Sequence, residues 1–145
     1  MLTVEPEIVE RYVRAGQVRL VFRDVLNHGE RSVRTSEAAA CAGLQGQFWQ
    51  MHEMLFELQN EVWATSNDQL VERMQGYAQE LDGLDQEAFA QCMNERTTLE
   101  RLQTADAEQR RLGITLQPVF DIGDARLFGV RPIEEFVDVI EQALQ

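Results

Sequence analysis

The chain has 145 residues, of which 44% are apolar, and its formal net charge at pH 7 is −12. This length and composition predict one globular domain with its own core rather than a disordered chain. The acidic balance argues against a nucleic-acid partner, because contact with phosphate requires a basic face. No apolar run approaches the roughly 18 residues of a membrane span, and the glutamates close behind Met1 argue against a signal peptide.

The first quarter of the chain predicts a helix followed by a strand. Thr3 is expected to cap a helix that continues to about Ala15 and stops at Gly16. In VRLVFRD, Val18 to Asp24, apolar residues alternate with mostly charged ones, which is the pattern of a strand with one buried face. The residues 27–29 that follow predict a turn.

A long helical block is predicted next. Glu30 to Gln59 is helical in character and is expected to break near Gly43 or Gly46. Ser66 to Gln69 has the spacing of a capping box, which predicts a further helix start. Asp85 to Gly113 predicts one more helix, with an N-terminal cap at its first residue and a glycine at its end.

The C-terminal segment predicts a hairpin and a helix. Val119 to Ile122 and Ala125 to Phe128 are short apolar runs that Gly123 and Asp124 separate, as in a two-residue hairpin. Pro132 suits the first position of a helix, where its missing N–H is not needed. The buried stripe of that helix is expected to consist of Ile133, Phe136, Val137, Ile140 and Leu144.

Two cysteines, Cys41 and Cys92, and two histidines, His28 and His52, are the residues that invite a chemical interpretation. Neither cysteine has the helix N-terminal setting that lowers a thiol pKa for disulfide exchange. Each is therefore a reactive thiol, a buried free thiol or half of a structural disulfide, and the residues alone leave these alternatives open. The histidines have no metal-binding spacing, and no metal site is predicted. His52 is expected to be a packing residue and His28 to be solvated.

Three segments together resemble the DsbA-like thiol–disulfide oxidoreductases of the bacterial thioredoxin-4 type. They are RLVFRD (Arg19 to Asp24), AAACAGLQGQFWQMHEMLFELQ (Ala38 to Gln59) and the tail from Gly113 to Phe136. The resemblance implies an α/β, thioredoxin-like (DsbA-like) fold with an inserted helical domain. Residues 1–29 and 113–145 would form the thioredoxin-like core, and residues 30–112 the inserted helical block.

The resemblance also implies that a part of the family pattern is missing. The first core strand and the Cys-x-x-Cys after it should precede Leu2, so no catalytic residue is assigned in this chain. Members need no cofactor beyond their own cysteines. We therefore expect a protein of the oxidoreductase family that is inactive as this chain. The alternative is a non-catalytic binding or assembly module on the same scaffold.

Site residues, location and partners follow from the same resemblance. Most X-Pro bonds are trans, but Pro118 stands at the place of the family's cis-proline, where Gln117 would present its backbone to an extended peptide or unfolded protein. Cys41 and Cys92 would form a structural disulfide, which implies an extracytoplasmic location. Without its first strand the sheet would have an open slot, and we expect a homodimer to cover it rather than direct strand pairing or partial order.

Overall fold

The computed structural model describes residues 4–145. The chain forms two compact units: the residues up to Phe22 together with Arg110–Gln145, and the residues Arg23–Gln109. The first unit is therefore built from both ends of the chain, and the second is one continuous segment. The boundaries expected from the sequence, with 1–29 and 113–145 against 30–112, stay a prediction.

In the first unit, an N-terminal helix packs with the last helix of the chain. Helix α1 (Val4–Ile8) continues as a π-helical turn over Val9–Val13, and Thr3, its expected cap, lies outside the described residues. The Tyr12 hydroxyl donates to Glu141 Oε1 at 2.9 Å. The fully buried members of this small core are Ile8, Tyr12, Phe136 and Ile140.

The hairpin has the register that its sequence predicts. Strands β1 (Val119–Ile122) and β2 (Ala125–Phe128) are antiparallel. Gly123 takes a positive φ of 56° in the turn, as a two-residue hairpin loop requires. Helix α8 (Ile133–Ala143) follows, with Pro132 just before its first residue rather than within it. Leu144, expected in the buried stripe, is 42% exposed.

The strand predicted at Val18 to Asp24 is not formed. Burial does alternate along it, with Val18 and Leu20 half-buried and Arg19 and Val21 exposed, but the backbone has no regular secondary structure. The alternation indicates which side chains face the core. A strand also requires a neighbouring strand whose N–H and C=O groups pair with its own. Within residues 4–145 the only sheet is the β1–β2 pair.

The second unit is helical, and its first long helix breaks where glycines predict it. Helix α2 ends at Gly43, and α3 begins at Phe48. The helices in this part of the chain are α2 (Glu30–Gly43), α3 (Phe48–Glu57), α4 (Gln59–Ala64), a 3₁₀ turn (Asn67–Gln69), α5 (Leu70–Ala78), α6 (Gln86–Glu95) and α7 (Leu99–Arg111).

The helix starts expected at Ser66 and Asp85 are confirmed, and two other local expectations in this unit are wrong. Ser66 directly precedes the 3₁₀ turn, but it forms no capping box, because its side chain accepts from no backbone N–H and its hydroxyl donates to Gln69 Oε1 at 3.0 Å. The helix expected from Asp85 to Gly113 is two helices, because Arg96 adopts a left-handed backbone with φ 56° between them. Asp85 does cap α6, accepting from the Ala88 N–H at 3.0 Å.

The core of the helical unit lies where α2, α3, α5 and α6 meet. Ala38, Ala42, Met51, Leu70 and Met74 have no exposed surface. Small residues on α2 let the neighbouring helices approach closely, and larger ones from α3 and α5 fill the space. None of the helices described between residues 4 and 145 combines the length and the apolar character that crossing a bilayer demands.

Candidate functional site

The loop between α7 and the hairpin is the first candidate. Gly113, with φ 75°, follows the end of α7, and Ile114 then returns to the interior with 8% exposure. The Gln117–Pro118 peptide bond is cis, the geometry expected for this position. The Pro118 carbonyl accepts from the Gly129 N–H at 2.8 Å. The loop thus leads directly into the β1–β2 ladder, with the exposed Gln117 just before it.

An arginine that sequence reasoning missed holds both ends of this loop. Arg126, on β2, makes a bidentate ion pair with Asp121 at 2.6 and 2.9 Å. Its remaining terminal nitrogen donates to the Leu112 carbonyl at 3.3 Å. The guanidinium lowers the pKa of Asp121 through these hydrogen bonds. The Arg126 side chain therefore connects Leu112, before the loop, with β1 and β2, after it.

Exposed apolar side chains accompany the loop. Leu116 is 76% exposed and Val130 is 87% exposed, on the two sides of the Pro118–Gly129 hydrogen bond. Leu112 and Phe128 are more than half exposed as well. Exposed large apolar side chains are typical of surfaces that bind other chains when they lie together. We call these four residues the loop patch.

Cys41 and Cys92 are joined in a disulfide, with their Cα atoms 5.9 Å apart and a sequence separation of 51. The bond links α2 to α6 inside the helical unit. Both residues are almost fully buried, with 1% and 7% exposure. Because these are the two cysteines of the sequence, the chain has no free thiol in this structure.

The two histidines differ in burial, as the sequence predicts. His52 is buried among the rings of Phe48, Trp49 and Phe56, with centroids 4.8–5.7 Å away. His28 is exposed, and its ring meets the edge of Trp63 at 5.2 Å. Over residues 4–145 there is no group of three or more His, Cys, Asp and Glu side chains arranged to hold a metal ion.

A partly buried carboxylate lies at the start of the helical unit. Burial raises the pKa of Asp24, and this effect outweighs the hydrogen bond from Ser36 and the nearby charges of Arg101 and His52, which lower it. Two residues later the Leu26 N–H donates to Asp106 at 2.8 Å. Carboxylates therefore hold this irregular segment on the helices.

The comparisons with known proteins agree with this architecture. A family model described as Thioredoxin matches residues 1–142, which is nearly the whole sequence. A search of curated proteins found no match. The matched region includes the hairpin, the cis-proline loop and both cysteines.

Proposed function

Because this chain belongs to the thioredoxin family, we propose that it is a DsbA-like protein of the bacterial thiol–disulfide oxidoreductases. Its fold is thioredoxin-like, predominantly helical with a small antiparallel sheet. Gln117 and Pro118 form its peptide-binding loop, and the helical unit is the family's inserted domain. The ligand is an extended peptide or an unfolded protein.

The observation that carries this proposal is the loop patch. Leu112 and Leu116 precede the cis-proline, and Phe128 and Val130 lie at and just after the end of β2, all four of them more than half exposed. A peptide that lies along a strand gains affinity from main-chain hydrogen bonds and specificity from side-chain contacts. The loop patch would supply apolar side-chain contacts for a peptide that lies beside the hairpin strands.

The proposal further holds that residues 1–145 alone do not exchange disulfides. Exchange needs an accessible thiolate, and both cysteines are buried in one disulfide. Reading the DNA upstream of the Met1 codon separates the two candidates: an in-frame strand followed by a Cys-x-x-Cys pair identifies the oxidoreductase, and a stretch without such a pair favours the non-catalytic module.

Two assays separate catalysis from binding. In an insulin-reduction assay the chain should give no turnover above background; turnover would disprove the inactivity. For binding, the probe is reduced, carbamidomethylated α-lactalbumin, which stays unfolded. Leu116→Ser should weaken its binding at least about fivefold, the effect of losing a buried leucine contact. Leu44→Ser is the control, because Leu44 is 61% exposed in the helical unit.

Two results decide between the candidates. Binding that is lost in Leu116→Ser and kept in Leu44→Ser supports the peptide-binding loop. Equal binding by both variants contradicts it. If binding is confirmed and no upstream Cys-x-x-Cys exists, the protein is the alternative, a non-catalytic binding module, which the absence of a free thiol favours.

We also propose an extracytoplasmic location. The support is the disulfide, since such bonds persist in oxidising compartments and are rare in the cytosol. Acid quenching of cells followed by alkylation and mass spectrometry tests the location. Cys41 and Cys92 recovered as alkylated thiols would contradict it.

A homodimer is the last part of the proposal. Along residues 4–145, β1 pairs with β2 and no strand pairs with its other edge. Phe120 and Ile122 on β1 remain half-buried. Exposed strand edges recruit other chains, and a second copy would cover this one. Light scattering at micromolar concentration should give the mass of a dimer, whereas the mass of a monomer would refute it.

A further inference from the structure

A buried ion pair joins the same two helices as the disulfide. Glu37 on α2 has no exposed surface, and Arg96 follows α6. The two carboxylate oxygens of Glu37 accept from Nε and a terminal nitrogen of Arg96, each at 3.1 Å. This two-bond geometry is the strongest way in which arginine holds a carboxylate.

The ion pair lies near the disulfide in sequence at both of its ends. Glu37 precedes Cys41 by four residues, and Arg96 follows Cys92 by four. Glu37 and Cys41 share one face of α2, whereas Arg96 lies just beyond the last residue of α6. The two helices are therefore linked twice, once covalently and once by charge.

Further contacts strengthen the ionic link. Arg34 donates to Glu37 at 3.2 Å and to the Met93 carbonyl of α6 at 3.4 Å. Glu30 approaches Arg34 at 2.8 Å and Arg96 at 3.5 Å. Glu37, buried as it is, thus has arginine partners from both helices, which a buried carboxylate requires.

Arg96 ends α6 with a left-handed backbone. Among the described residues it is the one non-glycine residue with a positive φ. An L-residue avoids that conformation unless its surroundings compensate for it. Here the N–H groups of Arg96 and Thr97 both donate to the Cys92 carbonyl, and the Arg96 side chain makes the bidentate bond to Glu37.

We propose that the Glu37–Arg96 ion pair is a positioning device for the Cys41–Cys92 disulfide. It holds α2 and α6 in bonding register in the dithiol form, so the bond opens and re-forms without loss of the fold. In re-formation by glutathione disulfide, each thiol gives up a proton and an electron as the protein S–S bond forms. The glutathione S–S bond breaks and yields two glutathione thiols. This role does not depend on the peptide-binding proposal.

The test is the equilibrium between the full chain and glutathione redox buffers at neutral pH, approached from both the oxidised and the reduced protein. It gives the effective molarity of the two thiols. A purely stabilising ion pair would support the oxidised and reduced forms equally and leave this value unchanged. A positioning pair aligns the thiols for the bond and is in turn favoured by it, so it stabilises the oxidised form more and its loss lowers the value.

Glu37→Gln and Arg96→Gly should each lower the effective molarity at least about tenfold, which corresponds to about 30 mV in reduction potential. Glycine tolerates the left-handed backbone at position 96, so the second variant removes the charge without adding strain. The double variant should fall no further than either single one, because both remove the same link. Glu61→Gln is the matched control, since Glu61 forms an exposed ion pair with Arg73 at 3.8 Å.

The outcomes are distinct. Reduced wild-type protein should keep its helical circular dichroism; if it unfolds on reduction, the proposal is wrong. It is equally wrong if both variants stay within about twofold of wild type, or if Glu61→Gln falls as far as they do. The comparison is therefore made at a temperature where circular dichroism shows both redox forms of each variant to be folded.

Discussion

Asp24 is a residue whose charge opposes folding at neutral pH. Its pKa is raised above the usual value of 3.8 because burial disfavours the carboxylate more than Ser36, Arg101 and His52 favour it. In the folded protein it therefore holds its proton to a higher pH than in the unfolded chain. Its contribution to stability is fully present below the unfolded pKa and is lost as the pH rises through the folded pKa.

Replacing Asp24 with Asn removes this titration and keeps the shape of the side chain. The free energy of unfolding of Asp24→Asn, relative to wild type, should rise between about pH 3 and about pH 7. Urea unfolding of both proteins across this range measures the difference. A relative stability that falls with pH would show that the partners of Asp24 outweigh its burial.

Asp121→Asn is the control with the opposite sign. The hydrogen bonds from Arg126 lower the pKa of Asp121, so this carboxylate contributes stability above its unfolded pKa and loses it as the pH falls through the folded value. Relative to wild type, the stability of Asp121→Asn should fall as the pH rises. If the relative stabilities of Asp24→Asn and Asp121→Asn change with pH in the same direction, burial of Asp24 and pairing of Asp121 do not explain their pH dependence.

At the scale of the element, the hairpin turn is fitted closely to the last helix. A Cβ at Gly123 would lie 3.2 Å from Ala143 Cβ, and φ there is 56°. Gly129, at the other end of β2, has a similar φ of 74° and open space around it. Both positions disfavour an L-side chain, but only Gly123 has a close neighbour.

We expect Gly123→Ala to destabilise the protein more than Gly129→Ala does. Each should cost about 1–2 kcal/mol for the left-handed backbone, and Gly123→Ala should cost more because of the contact with Ala143. Urea unfolding measures both. Equal costs would mean that the end of α8 moves aside freely.

The disulfide between α2 and α6 should be the largest single contribution to the stability of the helical unit. A bond between cysteines 51 residues apart restricts the unfolded chain, which is worth about 4 kcal/mol on the chain-entropy estimate. Reduction should therefore lower the free energy of unfolding by about 2–4 kcal/mol. Urea unfolding with and without a phosphine reductant measures this, and a loss below about 1 kcal/mol would contradict it.

Elements whose own residues set the backbone conformation could be predicted from the sequence. Elements that depend on contacts with residues far away in the chain could not. Gly123 and Asp124 define the hairpin by their own conformational preferences. The segment at Val18 has the alternation of a strand, but strand formation depends on a neighbour that the segment does not encode. The left-handed residue that ends α6 is Arg96, whose N–H donates with that of Thr97 to the Cys92 carbonyl, and the glycine that usually marks such an end in a sequence is absent there.

The same distinction holds for the candidate site. The cis bond at Pro118 and the disulfide between the two cysteines were expected from a resemblance to a family, not from physical reasoning on the residues. The contact of Arg126 with the Leu112 carbonyl has no signature in the sequence, since an arginine on an exposed strand face usually meets solvent. Exposed apolar residues such as Leu116 look like core residues until the fold shows otherwise.

For the whole molecule, charge is the property that governs association. A net charge of −12 on each copy opposes any dimer, and the repulsion extends about 30 Å at 0.01 M salt but about 8 Å at 0.15 M. The proposed homodimer should therefore become tighter as salt is added, the opposite of a complex held by charge pairs.

Sedimentation equilibrium tests this expectation. The dissociation constant should fall between about 10 mM and about 150 mM sodium chloride, because screening removes the repulsion and leaves burial of apolar surface unchanged. A dimer that weakens with salt would require complementary charges in the interface. A monomer at every salt concentration would exclude the dimer itself.

The discontinuous first unit has a consequence for biosynthesis. Its two segments leave the ribosome at different times, because the whole of Arg23–Gln109 is made between them. The helical unit is contiguous and can fold during translation, as domains do, while the N-terminal segment still lacks the hairpin and α8. The apolar surface of Val4, Ile8 and Tyr12 is then covered only after the hairpin and α8 have been made. Until then the nascent chain exposes the apolar face of its N-terminal helix, and that interval is when a ribosome-associated chaperone would have most to protect.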